Sequence, residues 1–296
     1  MLDRIREALI ARTTRFLDEP VGHYEQNHPN DVELLHGVLR KGDVVLVEGD
    51  QRISLIIQFL THSPWSHAAL YVGDELIRNE GPLRDLALEH FGDEAEHLVV
   101  EALMDGVVAS PLSKYTEHNL RVCRPHRLRS ADLDYVVAQA VASIGLRYDL
   151  RNVVELALYL LGLTLVPARF RRRALRFGSG SSGEVICSSL LGRLFAEVGF
   201  PVLPSVTHPK APGEPNRQRN LLFSAWSRRR ARRASVYRRR HPTLLMPRDF
   251  DVSPFFEVVK WNVVAQRGFD YARIKWEDDE VDALAASQAE EKPEDS

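Results

Sequence analysis

Five short apolar runs, each closed by turn residues, crowd into residues 42–124 and constrain this chain more than any other feature. They are Gly42 to Gly49, Ala68 to Val72, His97 to Ala102, Gly106 to Ser110 and Leu120 to Arg124. Their lengths and their β-branched content predict strands. One helix-like segment, Ile53 to Leu60, falls among them, and a second follows at Asp132 to Ile144, with Leu133, Val136, Val137 and Ala140 at helical spacing. Strands grouped first and helices later predict an α+β domain, with an antiparallel sheet of about five strands.

The rest of the chain divides around that block. Residues 1–36 read as an N-terminal helix, with Leu2, Ile5, Leu9 and Leu17 on or near one side, followed by a polar connection from residue 19. The main domain is expected over 37–262. It carries a basic insertion at 151–183, closed by the run Gly178 to Gly183, and an irregular Pro- and Arg-rich loop at 201–242. Met246 to Asn262 reads as ordered, with a helix starting at Asp251-Val252-Ser253-Pro254. The acidic stretch 263–296 is expected to be disordered. An apolar content of 44% suffices for a core, and the net charge of −2 hides an arginine-rich run offset by the acidic tail. Two cysteines make no disulfide framework and point to a reducing compartment. No apolar secretory segment follows Met1, and no segment is apolar enough to span a bilayer, so a cytoplasmic protein is expected, with the inner membrane face as a second location.

One cysteine stands in a chemically useful place. Cys187 opens the run Cys187-Ser188-Ser189-Leu190-Leu191, where helical periodicity begins after the Gly/Ser-rich loop. The field at a helix N-terminus stabilises a thiolate. A base must still take the thiol proton, and His67 at the head of the second strand can do so. On that strand His67, Ala69 and Tyr71 share a face, and the small Ala69 leaves space beside the imidazole. A third polar group is needed to hold the imidazole tautomer, and Glu101, ending the next strand, is the candidate. The backbone N–H of Cys187 could stabilise an oxyanion, and Tyr148, Tyr71 and Ser66 are further oxyanion or substrate candidates. Cys123, within a strand, reads as structural, and His62 ranks second to His67 because it ends a helical run. The three site residues lack metal-ligand spacing, so neither metal nor cofactor is expected.

These blocks together resemble the permuted NlpC-type papain-like cysteine hydrolases, in their YiiX-like branch. Gly42-Asp43-Val44-Val45-Leu46 is similar to the family's first strand, and Ser66 to Gly73 to its catalytic-His strand. Val99-Val100-Glu101-Ala102 and Gly106-Val107-Val108 are similar to its following strand pair. Gly145-Leu146-Arg147-Tyr148-Asp149 resembles its Gly-x-x-Tyr-Asp turn, Cys187 to Leu191 its Cys-Ser-Glu-Leu helix, and Met246 to Phe250 a late Thr-Pro-x-Asp segment. Ser189 departs from the pattern, standing where the family often has Glu. The resemblance implies a permuted papain-like fold, with the sheet packed against the nucleophile-bearing helix. It also implies a cysteine hydrolase or acyltransferase acting on amide or ester bonds of a peptide or acyl-lipid, through a Cys187–His67–Glu101 triad and an acyl-enzyme.

The alternative is a non-catalytic module on the same fold, binding anionic lipid or a protein partner. Residues 153–176, an apolar helix followed by Arg169 to Arg176, fit a peripheral contact with an anionic membrane as well as they fit a buried helix with a basic end. Arg228 to Arg240 has sparse aromatic interleaving, Trp226 and Tyr237, which argues against nucleic acid.

Overall fold

The computed structural model describes residues 12, 15–22, 24–27, 29–103, 106–146, 187–207 and 236–260. The described secondary structure lies in the first, Met1–Val259, of the two units into which the chain divides. The N-terminal helix through residue 11, the 151–183 insertion and most of the Arg-rich loop fall outside the described residues, as does the acidic tail.

Six strands form one antiparallel sheet: β1 (Val44–Val47), β2 (His67–Gly73), β3 (Leu98–Leu103), β4 (Gly106–Pro111), β5 (Leu120–Pro125) and β8 (Phe256–Val259), in the order β4-β3-β2-β1-β5-β8. The expected five are present. The sixth adds to the β5 edge through Val122↔Val259 to Pro125↔Phe256. Two further strands, β6 (Ser205–Thr207) and β7 (Val236–Arg238), pair with each other inside the segment read as irregular.

Helices α2 (Arg52–Thr61), α4 (Ser130–Ala142) and α5 (Cys187–Glu197) stand where periodicity put them. Helix α1 (Val32–Val38) occupies part of what reads as a polar connection. Its only buried residue is Leu35, and Asp31 caps it through Leu34 N–H, so a pattern based on apolar spacing has little to detect. Helix α3 (Pro82–Phe91) escapes for the same reason, with only Ala87 buried. Helix α6 (Pro247–Asp251) ends at the residue expected to start a helix. Asp249, not Asp251, makes the cap, its carboxylate accepting from Met246 N–H at 3.0 Å, and Pro247 is set at the first turn.

Both faces of the sheet are buried, as the near-continuous apolar strands require. Val44, Leu46, Ala68, Leu70, Val72 and Val100 face a core shared with Val136, Val137 and Ala140 of α4 and Leu190, Leu191, Leu194 and Phe195 of α5. By alternation Val45, Val47, Ala69, Tyr71, Val99 and Glu101 lie on the opposite face, also buried. There Tyr71 Oη meets His97 Nδ1 at 2.8 Å, and His97 stacks on His36 of α1. The Cys187 helix thus packs on one face, while Glu101 projects from the other.

Candidate active site

The two faces meet at the head of β2. His67 is its first residue, and alternation places it with Ala69, whose partner across the strands is Glu101. Because Ala69 is only a methyl group, the imidazole of His67 can lean diagonally over it. Its Nε2 lies 2.6 Å from Glu101 Oε2. With Nε2 engaged, Nδ1 is the nitrogen left for Cys187, to which the ring is also hydrogen-bonded. Cys187 reaches the same point from the other face, as the first residue of α5. The described geometry therefore brings Cys187, His67 and Glu101 together around a strand end.

The charges of the three are mutually supporting. Burial alone would push the Cys187 thiol up. The His67 imidazolium, with a hydrogen bond to it and the backbone N–H groups of Ala68 and Ser188, reverses this and holds the thiol below its ordinary value. Burial alone would lower the pKa of His67, but the Cys187 thiolate and then Glu101 raise it above the usual imidazole range. Burial would likewise raise Glu101, which is wholly inaccessible, yet His67 and Lys114 hold it below the usual carboxylate range. The two directions together favour the thiolate–imidazolium form of the pair, with a carboxylate behind it.

Glu101 has two partners that the sequence did not reveal. Lys114 Nζ donates to Oε1 at 2.8 Å, and the Tyr115 hydroxyl donates to Oε2. Both come from the 3-10 turn Leu112–Tyr115 that follows β4. The only available signal was indirect: a buried carboxylate needs several donors, and nothing in the spacing says which loop supplies them. On the helix side, Ser188 Oγ donates to the carbonyl of Leu245 at 2.7 Å, anchoring the first turn of α5.

The other candidates are placed elsewhere. Tyr71 lies on the Glu101 face, with its hydroxyl hydrogen-bonded to His97. Ser66 Oγ accepts from Gly49 N–H at 2.9 Å and lies 3.5 Å from the carbonyl of Val47, a clip between the ends of β1 and β2. Alternation along a strand shows which face a side chain takes, not which partner claims its hydroxyl. Tyr148 lies outside the described residues. His62 closes α2 in a left-handed conformation, its ring against Phe59. Cys123 is fully buried, and burial pushes its thiol up to about 12. Among the described residues, no group of three or more His, Cys, Asp or Glu is gathered as a metal site would need.

Residues 38–158 match the family described as permuted papain-like amidase enzyme, YaeF/YiiX, C92 family. That span includes His67 and Glu101 and ends before Cys187. A search of the curated proteins found no match. A crystal structure described as metalloprotein yiiX from Escherichia coli O157:H7 aligns at 16% identity, over 75% of this chain and 97% of its own, with a TM-score of 0.42. Over residues 38–158 the chain is similar to the YiiX-like permuted papain-like family, and its helices and antiparallel sheet make the α+β arrangement expected from that likeness.

Proposed function

We propose that this YiiX-like amidase domain hydrolyses its substrate with Cys187 as nucleophile, His67 as general base and acid, and Glu101 as the group that orients His67. The observation that carries the reading is the His67 ring bonded on one side to Glu101 and on the other to Cys187, with the thiol lowered and the imidazole raised. A papain-like amidase is the coarser statement that the family match supports.

The chemistry follows from the charges. The Cys187 thiolate pair forms a bond to the substrate carbonyl carbon, and the π pair of the C=O bond moves to the oxygen as an oxyanion. The first turn of α5, with the backbone N–H of Cys187, is the proposed donor to that oxyanion. His67, holding its extra proton on Nδ1, gives it to the leaving nitrogen as the C–N bond breaks. The acyl group stays on Sγ. A water then enters, His67 removes its proton, and collapse of the second tetrahedral species releases the acid and restores the thiolate. Glu101 remains ionised throughout and fixes the ring through Nε2, much as a triad acid does elsewhere. With an alcohol or amine in place of water, the same steps make an acyltransferase.

The deciding test is the pH dependence of iodoacetamide labelling at Cys187, read by peptide mass spectrometry. Wild type is expected to label well below pH 8. His67→Ala should lose roughly tenfold or more of that rate at neutral pH, as the thiol returns to its ordinary ionisation. Equal rates and an ordinary thiol profile in both proteins would remove the activated pair. A panel of peptide and acyl amides then separates wild type from Cys187→Ala.

A further inference from the structure

Helix α2 is inside out. Ser54, Gln58 and Thr61 recur at spacings of four and three and turn inward: Ser54 and Thr61 are buried, and Gln58 Nε2 donates to the carbonyl of Gly49 at 3.1 Å. Leu55 and Phe59, four apart, and Leu60 beside them turn outward, and Phe59 is 77% exposed. Burial of apolar surface drives folding, so an amphipathic helix in water normally carries the opposite arrangement. Here the polar ridge serves the Gly49 loop and the apolar ridge faces out, a pattern that marks an interaction surface rather than a stray exposed leucine.

The surroundings say what kind of partner fits. At the N-terminal end Arg52 lies over the ring of Phe16, itself exposed, at 4.1 Å, and also pairs with Glu19. At the C-terminal end Arg248 of α6 donates to the carbonyl of Thr61 at 2.7 Å, held by a carbonyl rather than by a carboxylate among the described residues. An apolar ridge with Arg248 at one end, free of a carboxylate among the described residues, and Arg52 paired with Glu19 at the other matches an interface of acyl chains below and anionic headgroups above. It matches a second copy poorly, since a self-complementary pair would set the same cations around the same ridge.

We infer that the outer face of α2, Leu55, Phe59 and Leu60 with Arg52 and Arg248, docks the protein on an anionic bilayer surface. Helix α2 shares the Gly49 loop with Ser66, which adjoins His67, so docking would hold the candidate site close to the lipid. The inference stands on the helix surface and does not rest on the proposed chemistry.

The test is sedimentation of the full chain with vesicles of phosphatidylcholine alone and with phosphatidylglycerol added. Wild type should pellet with the mixed vesicles and far less with the neutral ones, and added salt should weaken it. The double variant Leu55→Ser, Phe59→Ser should lose roughly tenfold or more of the binding, because two apolar anchors are removed. Both sites are exposed, so its thermal melt should match wild type; Phe59→Ala is the milder variant if it does not. Arg248→Gln should weaken binding to the mixed vesicles only. Wild type that fails to pellet, or variants that bind as wild type does, would overturn the inference. So would a concentration-dependent dimer broken by the same double variant without vesicle binding.

Discussion

At the residue scale the proposed mechanism depends on a proton held between Cys187 and His67. The Cys187 thiol is lowered, so activity and alkylation are expected to fall only when pH drops through that lowered value. The raised pKa of His67 sets the alkaline side: the imidazolium that protonates the leaving group is lost as pH rises through it. Glu101→Gln removes a carboxylate that favours the imidazolium, so the alkaline limb of a kcat/KM profile should move to lower pH and the labelling rate at Cys187 should fall. A carboxylate with no part in the site would leave both unchanged. Cys123 is the internal control. Fully buried and pushed up to about 12, it should label only after denaturation, and equal reaction of both cysteines in the folded protein would undo the assignment.

At the scale of elements, short contacts set how strands and helices present these groups. Gly42 enters β1 at φ +88, its N–H bonded to the carbonyl of Tyr71 at 2.9 Å. A Cβ there would meet Leu133 Cδ1 of α4 at 2.2 Å. Gly42→Ala therefore combines a left-handed backbone with overpacking and should cost about 2 kcal/mol or more, read from denaturant midpoints. Ser188→Ala removes the bond from the first turn of α5 to the buried Leu245 carbonyl and should cost about 1 kcal/mol. That loss should also slow Cys187 labelling, because the same turn carries the nucleophile; unchanged labelling would show that the turn holds its place without the bond.

At the scale of the whole molecule, the polar contacts inside the fold make its stability depend on pH. Glu101 is held below the usual carboxylate range in the folded state, so its contribution is present above the unfolded carboxylate pKa and is lost as pH falls through the folded one. Asp74, lowered by Lys41, acts in the same direction. Stability should decline on acidification through this window, and Glu101→Gln, already lacking the charge, should decline less steeply in thermal melts taken across it. A longer link ties the two ends of the domain together: Asp251 of α6 accepts from Trp65 Nε1 at 3.0 Å and from Arg121 of β5 at 2.6 Å, and Trp65 precedes the His67 strand.

The local sequence determined a good deal by itself. Five of the six strands in the main sheet and the helices α2, α4 and α5 follow from apolar runs and their spacing, because short apolar runs between turn residues mark buried strands and helical spacing marks a two-faced helix whichever face packs. Cys187 and His67 open elements whose patterns are strong, and Glu101 lies within a third, which is why the sequence offers all three as candidates. Tertiary structure alone decided the rest. Helices α1 and α3 bury one residue each and leave no trace, and β8 exists only because β5 offers an open edge. Lys114 and Tyr115 reach Glu101 from a turn whose path no spacing encodes. Tyr71 and Ser66 find their partners in His97 and Gly49, because a hydroxyl bonds whatever the fold brings within reach. The inward polar ridge of α2 has the same origin: periodicity shows that a helix has two unlike faces, and only packing decides which one meets the core.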